Sequence, residues 1–335
     1  MREAVDVHAH FVAPRALAEA SAHPERYGVA VEEVGEGRRR VRFAGAPPTR
    51  PLHPKLLDLT ERRRMMAAGR LGGQLLAPWM DVVGYALPAE QGRRWSRLLN
   101  ESLAEAIRED GSGAFAGIAT APLQDGAAAA GELEHAIGRL GLKGVQIGTN
   151  VMGAPLSRPE LDPFWRAAAA MRAPVILHPW HVPGEERLGA HGFLQLLGYP
   201  FDTTLAAASL VLDGVAERFP DLRVVLVHAG GFFPYQAGRL ARGHRLEQGS
   251  AGRAPLDALR WFYYDTITHW APPLRFLAEV AGAGRLVLGT DYPFDVGDHD
   301  PVASVEAADL GADATRAILQ LTARRLFGLG DPVPA

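Results

Sequence analysis

Val5-Asp6-Val7-His8-Ala9-His10-Phe11 opens the chain with alternating apolar and polar residues, the period-two pattern of a β-strand, which sets His8 and His10 on one face. Two imidazoles pointing the same way at a strand end make half of a transition-metal site, because neutral imidazole is a good ligand for Zn²⁺ and its neighbours. Asp6 shares that face and is placed to accept a hydrogen bond from a ligand's free ring N–H, fixing its tautomer. His-x-His also arises by chance on many strands, so the remainder of the chain has to decide.

Beyond this strand, short apolar segments alternate with longer amphipathic ones, the pattern of parallel strands covered by helices. Eight strands are expected, at 4–11, 73–78, 115–121, 144–149, 174–178, 223–228, 261–266 and 285–290. Helices are expected at 90–109, where Trp95, Leu98, Leu99, Leu103 and Ile107 fall at helical spacing, and at 203–218, 234–245 and 272–281. The count and alternation fit a closed (β/α)₈ TIM barrel better than an open doubly wound sheet, whose first strand would lead into a Gly-rich phosphate loop. Residues 28–45 carry Val29-Ala30-Val31 and Val41-Arg42-Phe43 around Gly35-Glu36-Gly37 and read as a β-hairpin inserted after the first strand. It would sit over the face where loops after barrel strands emerge. Residues 1–330 then form one domain and 331–335 a short Pro-rich tail.

The 335 residues accommodate such a barrel, of about 250 residues plus insertions. A net charge of -3 gives no electrostatic case for nucleic acid or an anionic membrane, and the runs Arg38-Arg39-Arg40 and Arg62-Arg63-Arg64 read as solvated surface. Absence of cysteine excludes disulfides, thiolate ligands and a Cys nucleophile. No apolar run is long enough to span a bilayer and the chain enters a strand at once, so a cytoplasmic protein is the default expectation.

Three further polar residues stand where strands run out: His178 after Pro174-Val175-Ile176-Leu177, His228 after Val224-Val225-Leu226-Val227, and Asp291 after Leu288-Gly289-Thr290. In a barrel these C-terminal ends converge on one mouth, so residues far apart in sequence meet around one atom. A lone histidine is more often a satisfied polar residue than a ligand. Four strand ends carrying such groups are hard to explain that way.

On these residues the chain resembles the second amidohydrolase family of metal-dependent TIM-barrel enzymes, and within it the 2-amino-3-carboxymuconate-6-semialdehyde decarboxylases. The matching pieces are Asp6-Val7-His8-Ala9-His10, Gly144-Val145-Gln146-Ile147-Gly148-Thr149, His178-Pro179-Trp180, His228-Ala229-Gly230-Gly231 with Phe233-Pro234 and Gly238-Arg239, and Leu288-Gly289-Thr290-Asp291-Tyr292-Pro293-Phe294. The resemblance implies that His8, His10, His178 and Asp291 hold one divalent metal, usually zinc, with manganese, iron or cobalt also compatible with such ligands. It implies that His228 is the catalytic acid/base and that Arg239 reaches a substrate carboxylate across a homodimer interface. Arg50, in Thr49-Arg50-Pro51-Leu52-His53-Pro54, is the candidate for a second substrate-binding arginine, although the Asn-Cys-Trp segment of the related enzymes is missing there. Met65-Met66 replaces their Met-Asp, and His191-Gly192-Phe193-Leu194-Gln195 replaces their Trp-rich lid. Trp180 and Phe294, beside presumed ligands, either wall the pocket or belong to the core, and His181 and His269 are weaker candidates for substrate contact. Binuclear relatives bridge two ions with a carboxylated lysine ending the fourth strand. Here Lys143 begins that strand and Lys55 lies in the insertion, so one metal is expected.

A bound Zn²⁺ with an open position brings the pKa of water from 15.7 toward ~7, and His228, free of the metal, would exchange protons near neutrality. These parts suit non-oxidative decarboxylation of an unsaturated or aromatic carboxylic acid, a small-molecule carboxylate, with no organic cofactor. Metal-dependent hydrolysis or hydration is the main rival, since it needs the same metal, base and open site. A binding protein retaining structural zinc is the third reading. It leaves the extra histidine, His228, without a purpose.

Overall fold

The computed structural model describes residues 4–35, 37–182, 184–246 and 252–330, and the tail expected at 331–335 lies outside them. Its strands in chain order are β1 Ala4–Phe11, β2 Val29–Glu33, β3 Arg39–Phe43, β4 Leu71–Pro78, β5 Phe115–Gly117, β6 Val145–Gly148, β7 Asn150–Val151, β8 Ala154–Pro155, β9 Pro174–His178, β10 Arg223–Leu226, β11 Tyr263–Asp265 and β12 Leu286–Val287. Each of the eight expected segments overlaps one of them, and β4 begins two residues earlier than expected. β5, β6, β10, β11 and β12 are shorter than expected, while β9 has the expected bounds.

β1-β4-β5 form one parallel sheet and β6-β9-β10-β11-β12 another. Parallel strands need apolar cover on both faces, and every residue of β1 and of β9 is buried. Backbone hydrogen bonds run between the two sheets on both sides. Ala119 N donates to Gly144 O and Gln146 N to Ala119 O, both at 2.8 Å, while Val7 N reaches Leu288 O at 2.9 Å and His10 N reaches Tyr292 O at 2.8 Å. One apolar cluster draws Val5, Val7, Leu75, Ile176, Val225 and Val287 from both sheets, so a common core lies between them.

The covering helices follow from their apolar stripes. Ala89–Asp110 buries Trp95, Leu98, Leu99 and Leu103 and stops at Gly111, whose φ of 62° suits a glycine C-cap. The helix expected at 203–218 is instead two, Tyr199–Leu212 and Val215–Arg218, parted at Gly214 with φ 79°. Glycine ends the first helix because it enters the left-handed region without steric cost.

β2 and β3 pair antiparallel with Val29 opposite Phe43 and Glu33 opposite Arg39. Val29, Val41 and Phe43 pack with Trp79, Trp95 and Leu99 in a second core, which fixes this ribbon beside the ends of β1 and β4. Among the described residues no helix is long and apolar enough to cross a membrane.

The Arg62-Arg63-Arg64 run is not all solvated surface. In the helix Leu59–Ala68 the buried face carries Arg62 and Met66, one turn apart, and Arg62 is completely buried. Its guanidinium donates to Gln74 Oε1 at 3.1 Å and to the carbonyl of His10 at 2.5 Å, and lies 4.6 Å from the centre of the Tyr292 ring. Arg62→Leu is expected to lower unfolding stability by about 2 kcal/mol or more, since it strips charged donors from buried acceptors. Urea unfolding measures this; a loss below about 0.5 kcal/mol, normal for a surface site, would mean that water replaces the guanidinium.

Candidate active site

The strand ends bring the sequence-predicted residues together. His8 and His10 lie near the end of β1, His178 ends β9, and His228 and Asp291 follow β10 and β12. Ligand-type atoms of His8, His178, His228 and Asp291 lie within 4.8 Å of one another. His10 adjoins this quartet: its Nε2 is hydrogen-bonded to Asp291 Oδ1 at 3.0 Å, and its ring centre is 4.8 Å from that of His178, edge to face. His8 Nε2 approaches the same Oδ1 at 3.4 Å, whereas His228 Nε2 lies 3.5 Å from the other oxygen, Oδ2.

Hydrogen bonds behind the rings set which nitrogen faces inward. His8 Nδ1–H donates to Asp265 Oδ2 at 2.7 Å and His178 Nδ1–H donates to the Pro179 carbonyl at 3.0 Å. With Nδ1 as the donor, the neutral ring carries its lone pair on Nε2, and both Nε2 atoms are buried without a hydrogen bond. Orphaned buried acceptors beside a carboxylate are what a divalent cation satisfies, so the donor set fits a metal. Asp6 does not orient a ring, contrary to expectation. Its oxygens accept from the amide of His8 at 3.0 Å, from Thr290 Oγ1 at 2.6 Å and from Gln74 Nε2 at 2.6 Å, tying β1 to the chain before Asp291 and to β4. Alternation places a side chain on a face but does not choose its partner, and the register shifts between Asp6 and Ala9.

Burial and mutual charge set the protonation of this cluster. Burial disfavours a charged Asp291, yet His8, His10 and His228 outweigh it and hold the carboxyl well below its usual range. Burial also opposes protonation of His8, but Asp291 and Asp265 push its pKa up to about 10. His178 is held well below the usual imidazole value by burial, reinforced by the other histidines, and burial lowers His10 against the pull of Asp291. His10 and His178, neutral beside an ionised carboxylate, are in the protonation states that ligation requires, whereas His8 would give up a ring proton to a bound ion.

The cluster floors a cavity of about 870 Å³. His178, His228 and Asp291 face it, and Trp180 and Phe294 stand in its wall. Phe294 lies 5.5 Å from the His10 ring, and Trp180 5.1 Å from that of Tyr85. Arg50 also lines the cavity, with its guanidinium 5.3 Å from the centre of Trp79 and paired to Asp81 at 3.0 and 3.3 Å. Burial works against its charge, but Asp81 more than compensates and raises its pKa. His181 and His269 line the cavity as well, whereas Arg239 lies on an exposed helix face and not in the lining. His181, His228, Ala229, His269 and Asp291 all have φ between 52° and 58°, a left-handed conformation rare for residues with a side chain. Such strain gathers at functional sites.

A family model described as amidohydrolase matches residues 5–329. The chain belongs to the amidohydrolase family. It is similar to 2-amino-3-carboxymuconate-6-semialdehyde decarboxylase of Dictyostelium discoideum, 31% identical over 247 residues that span 72% of this chain and 68% of the relative. Two solved structures share its fold. IDCase of Metarhizium anisopliae superposes with a TM-score of 0.83 at 23% identity, covering 98% of this chain and 97% of the other. A dihydroxybenzoic acid decarboxylase of Polaromonas sp. JS666, solved with bound manganese and the inhibitor 2-nitroresorcinol, gives 0.79 at 22% identity, with 98% of each chain covered.

Asp265, Asp81 and Tyr199 belong to this amidohydrolase site but escaped the sequence reading. Asp265 carried the one available signal, a polar residue at the end of an apolar strand. Asp81 lies in a short turn after β4 and Tyr199 opens the helix Tyr199–Leu212 ahead of the stretch expected as helical, so no periodicity marks either.

Proposed function

We propose that this amidohydrolase is a metal-dependent carboxy-lyase that removes CO₂ from an aromatic or unsaturated carboxylic acid without oxidation and without an organic cofactor. The observation that carries the reading is the cluster of buried, orphaned imidazole nitrogens around Asp291 at the floor of a cavity walled by Trp180, Trp79 and Phe294. His8, His10, His178 and Asp291 would hold a single divalent ion, and His228 would act as acid/base. His8 and His10 converge on Asp291 Oδ1, while His228 alone stands at Oδ2, with its side chain 14% exposed toward the cavity. A bound divalent ion supplies a Lewis acid for substrate oxygens. The aromatic walls would hold the substrate ring, and Arg50 is the carboxylate-binding candidate inside the cavity. His228 would deliver its proton to the carbon bearing the carboxylate; that carbon keeps the electron pair of the breaking C–C bond, and CO₂ departs.

Several finer features belong to the same proposal. The hydrogen bonds on both sides of the two sheets support a closed (β/α)₈ barrel, with the β2–β3 ribbon as an insertion and residues 1–330 as one domain. Homodimerisation is supported by exposed Phe193, Leu197, Phe201 and Leu205, spaced four residues apart along one helical stretch, and by Tyr235, 80% exposed on the helix that carries Arg239. A cytoplasmic location completes the proposal. Three imidazoles favour zinc, and manganese is the ion of the Polaromonas relative.

About one divalent ion per chain is expected by elemental analysis, with CO₂ release lost on chelation and the far-UV circular dichroism unchanged. Near-zero metal with full activity after chelation would sink the metal reading. Unfolding on chelation would point to a structural ion, and hydrolysis products in place of CO₂ would favour the hydrolase alternative.

A further inference from the structure

Asp265 is fully buried, and its two oxygens accept four hydrogen bonds. Oδ2 takes the His8 ring N–H at 2.7 Å and the amide of His228 at 3.0 Å. Oδ1 takes the amide of Ala229 at 2.7 Å and that of Ile267 at 3.2 Å. One carboxylate therefore grips a candidate ligand through its side chain and the candidate base through its backbone. The backbone it grips is unusual, because His228 and Ala229 are consecutive non-glycine residues in the left-handed region, at φ 52° and 54°. Two adjacent residues hold that conformation only where their surroundings enforce it. Gly289 leaves the room for this arrangement. A Cβ there would stand 3.0 Å from the Asp265 Cβ, 3.1 Å from the His8 Cβ and 3.2 Å from Asp265 Oδ2, so any side chain would wedge between the two.

We propose that Asp265 is a positioning residue that couples the metal ligand to the acid/base: its Oδ2 fixes the His8 tautomer with Nε2 free to ligate, and the same carboxylate holds the backbone turn that aims the His228 ring at Asp291. Nothing else described in the cluster does both. Asp6 is occupied by Thr290 and Gln74, and Asp291 lies on the opposite side of the His8 ring. The proposal rests on the metal reading above and goes beyond it by tying metal affinity to the geometry of His228.

The test compares wild type with Asp265→Asn, Gly289→Ala and His178→Ala. The readouts are Mn²⁺ and Zn²⁺ affinity by chelator competition, amide hydrogen exchange over residues 226–231, and kcat at saturating metal. Asparagine matches the shape of aspartate but turns an N–H toward His8, driving the ring to the tautomer whose Nε2 carries the proton. Asp265→Asn is expected to lose about 10–100-fold in metal affinity, to exchange at least about tenfold faster at 226–231 even when saturated, and to lose kcat. Gly289→Ala leaves the carboxylate in place and is expected to shift all three readouts in the same direction, which keeps the proposal testable if Asp265→Asn fails to fold. A drop in melting temperature with wild-type affinity and wild-type exchange, in either variant, overturns the coupling. His178→Ala separates the two readings: if it binds metal like wild type, the metal site itself is misassigned, whereas its loss of metal beside an unaffected Asp265→Asn rejects this inference alone.

Discussion

His228→Asn is expected to keep about one divalent ion per chain while losing on the order of 10²–10⁴-fold in turnover, the usual contribution of a positioned proton-transfer group. The geometry separates His228 from the other rings in two ways. It stands at Asp291 Oδ2 while His8 and His10 share Oδ1, and it is the most exposed of the four, at 14% against 5% or less for His8, His10 and His178. Asparagine preserves polarity at a similar size but has no proton to exchange near neutrality, so the loss belongs in kcat. Elemental analysis of the purified variant beside its rate of CO₂ release decides the point. His228 also belongs to the tight quartet with His8, His178 and Asp291. A variant that loses its ion together with its activity would show that His228 ligates, and His10 would then be the supporting ring. His10→Ala is the reciprocal control, expected to lose the ion.

The site was legible because apolar strands have no structural use for histidine or aspartate at their ends. β1 has the bounds that alternation gives it, and His178 closes β9 as expected. What stayed hidden depends on relations between elements. Asp265 ends β11, yet only the pairing of β10 with β11 gives it the His228 turn, and only the approach of β1 to the chain after β12 gives it His8. Three consecutive arginines look like solvent-facing charge in a linear reading, but on the helix Arg62 falls one turn before Met66 on the buried face, while Arg63 and Arg64 stay at least partly exposed. Arg50 does reach the cavity, yet its fork already holds Asp81, a contact across 31 positions that spacing alone cannot supply. A carboxylate substrate must therefore share Arg50 with Asp81 or bind elsewhere, which increases the importance of the second arginine.

That second arginine, Arg239, lies outside the cavity of its own chain, on the exposed face of the helix Phe233–His244 that starts just after the His228 turn. If Arg239 serves the reaction, another subunit's cavity is the one it enters, and the exposed Tyr235 and the Phe193, Leu197, Phe201 and Leu205 stripe offer the apolar surface for such an interface. A guanidinium forms the planar fork that suits a carboxylate and that lysine does not reproduce, so Arg239→Lys is expected to fail nearly as badly as Arg239→Ala. Mixing is the decisive measurement. The Arg239→Ala and His228→Ala proteins are each expected to be inactive, but in a heterodimer of the proposed kind one site would receive an intact His228 from one chain and an intact Arg239 from the other. An equimolar, fully exchanged mixture holds half heterodimers with one working site in two, so it should recover about a quarter of wild-type turnover. Should Arg239 act within its own chain, or only in a surface ion pair, every site of the heterodimer carries a defect or the Arg239→Ala parent is already active. Exchange verified by differently tagged subunits with no gain over the parents would exclude the shared site.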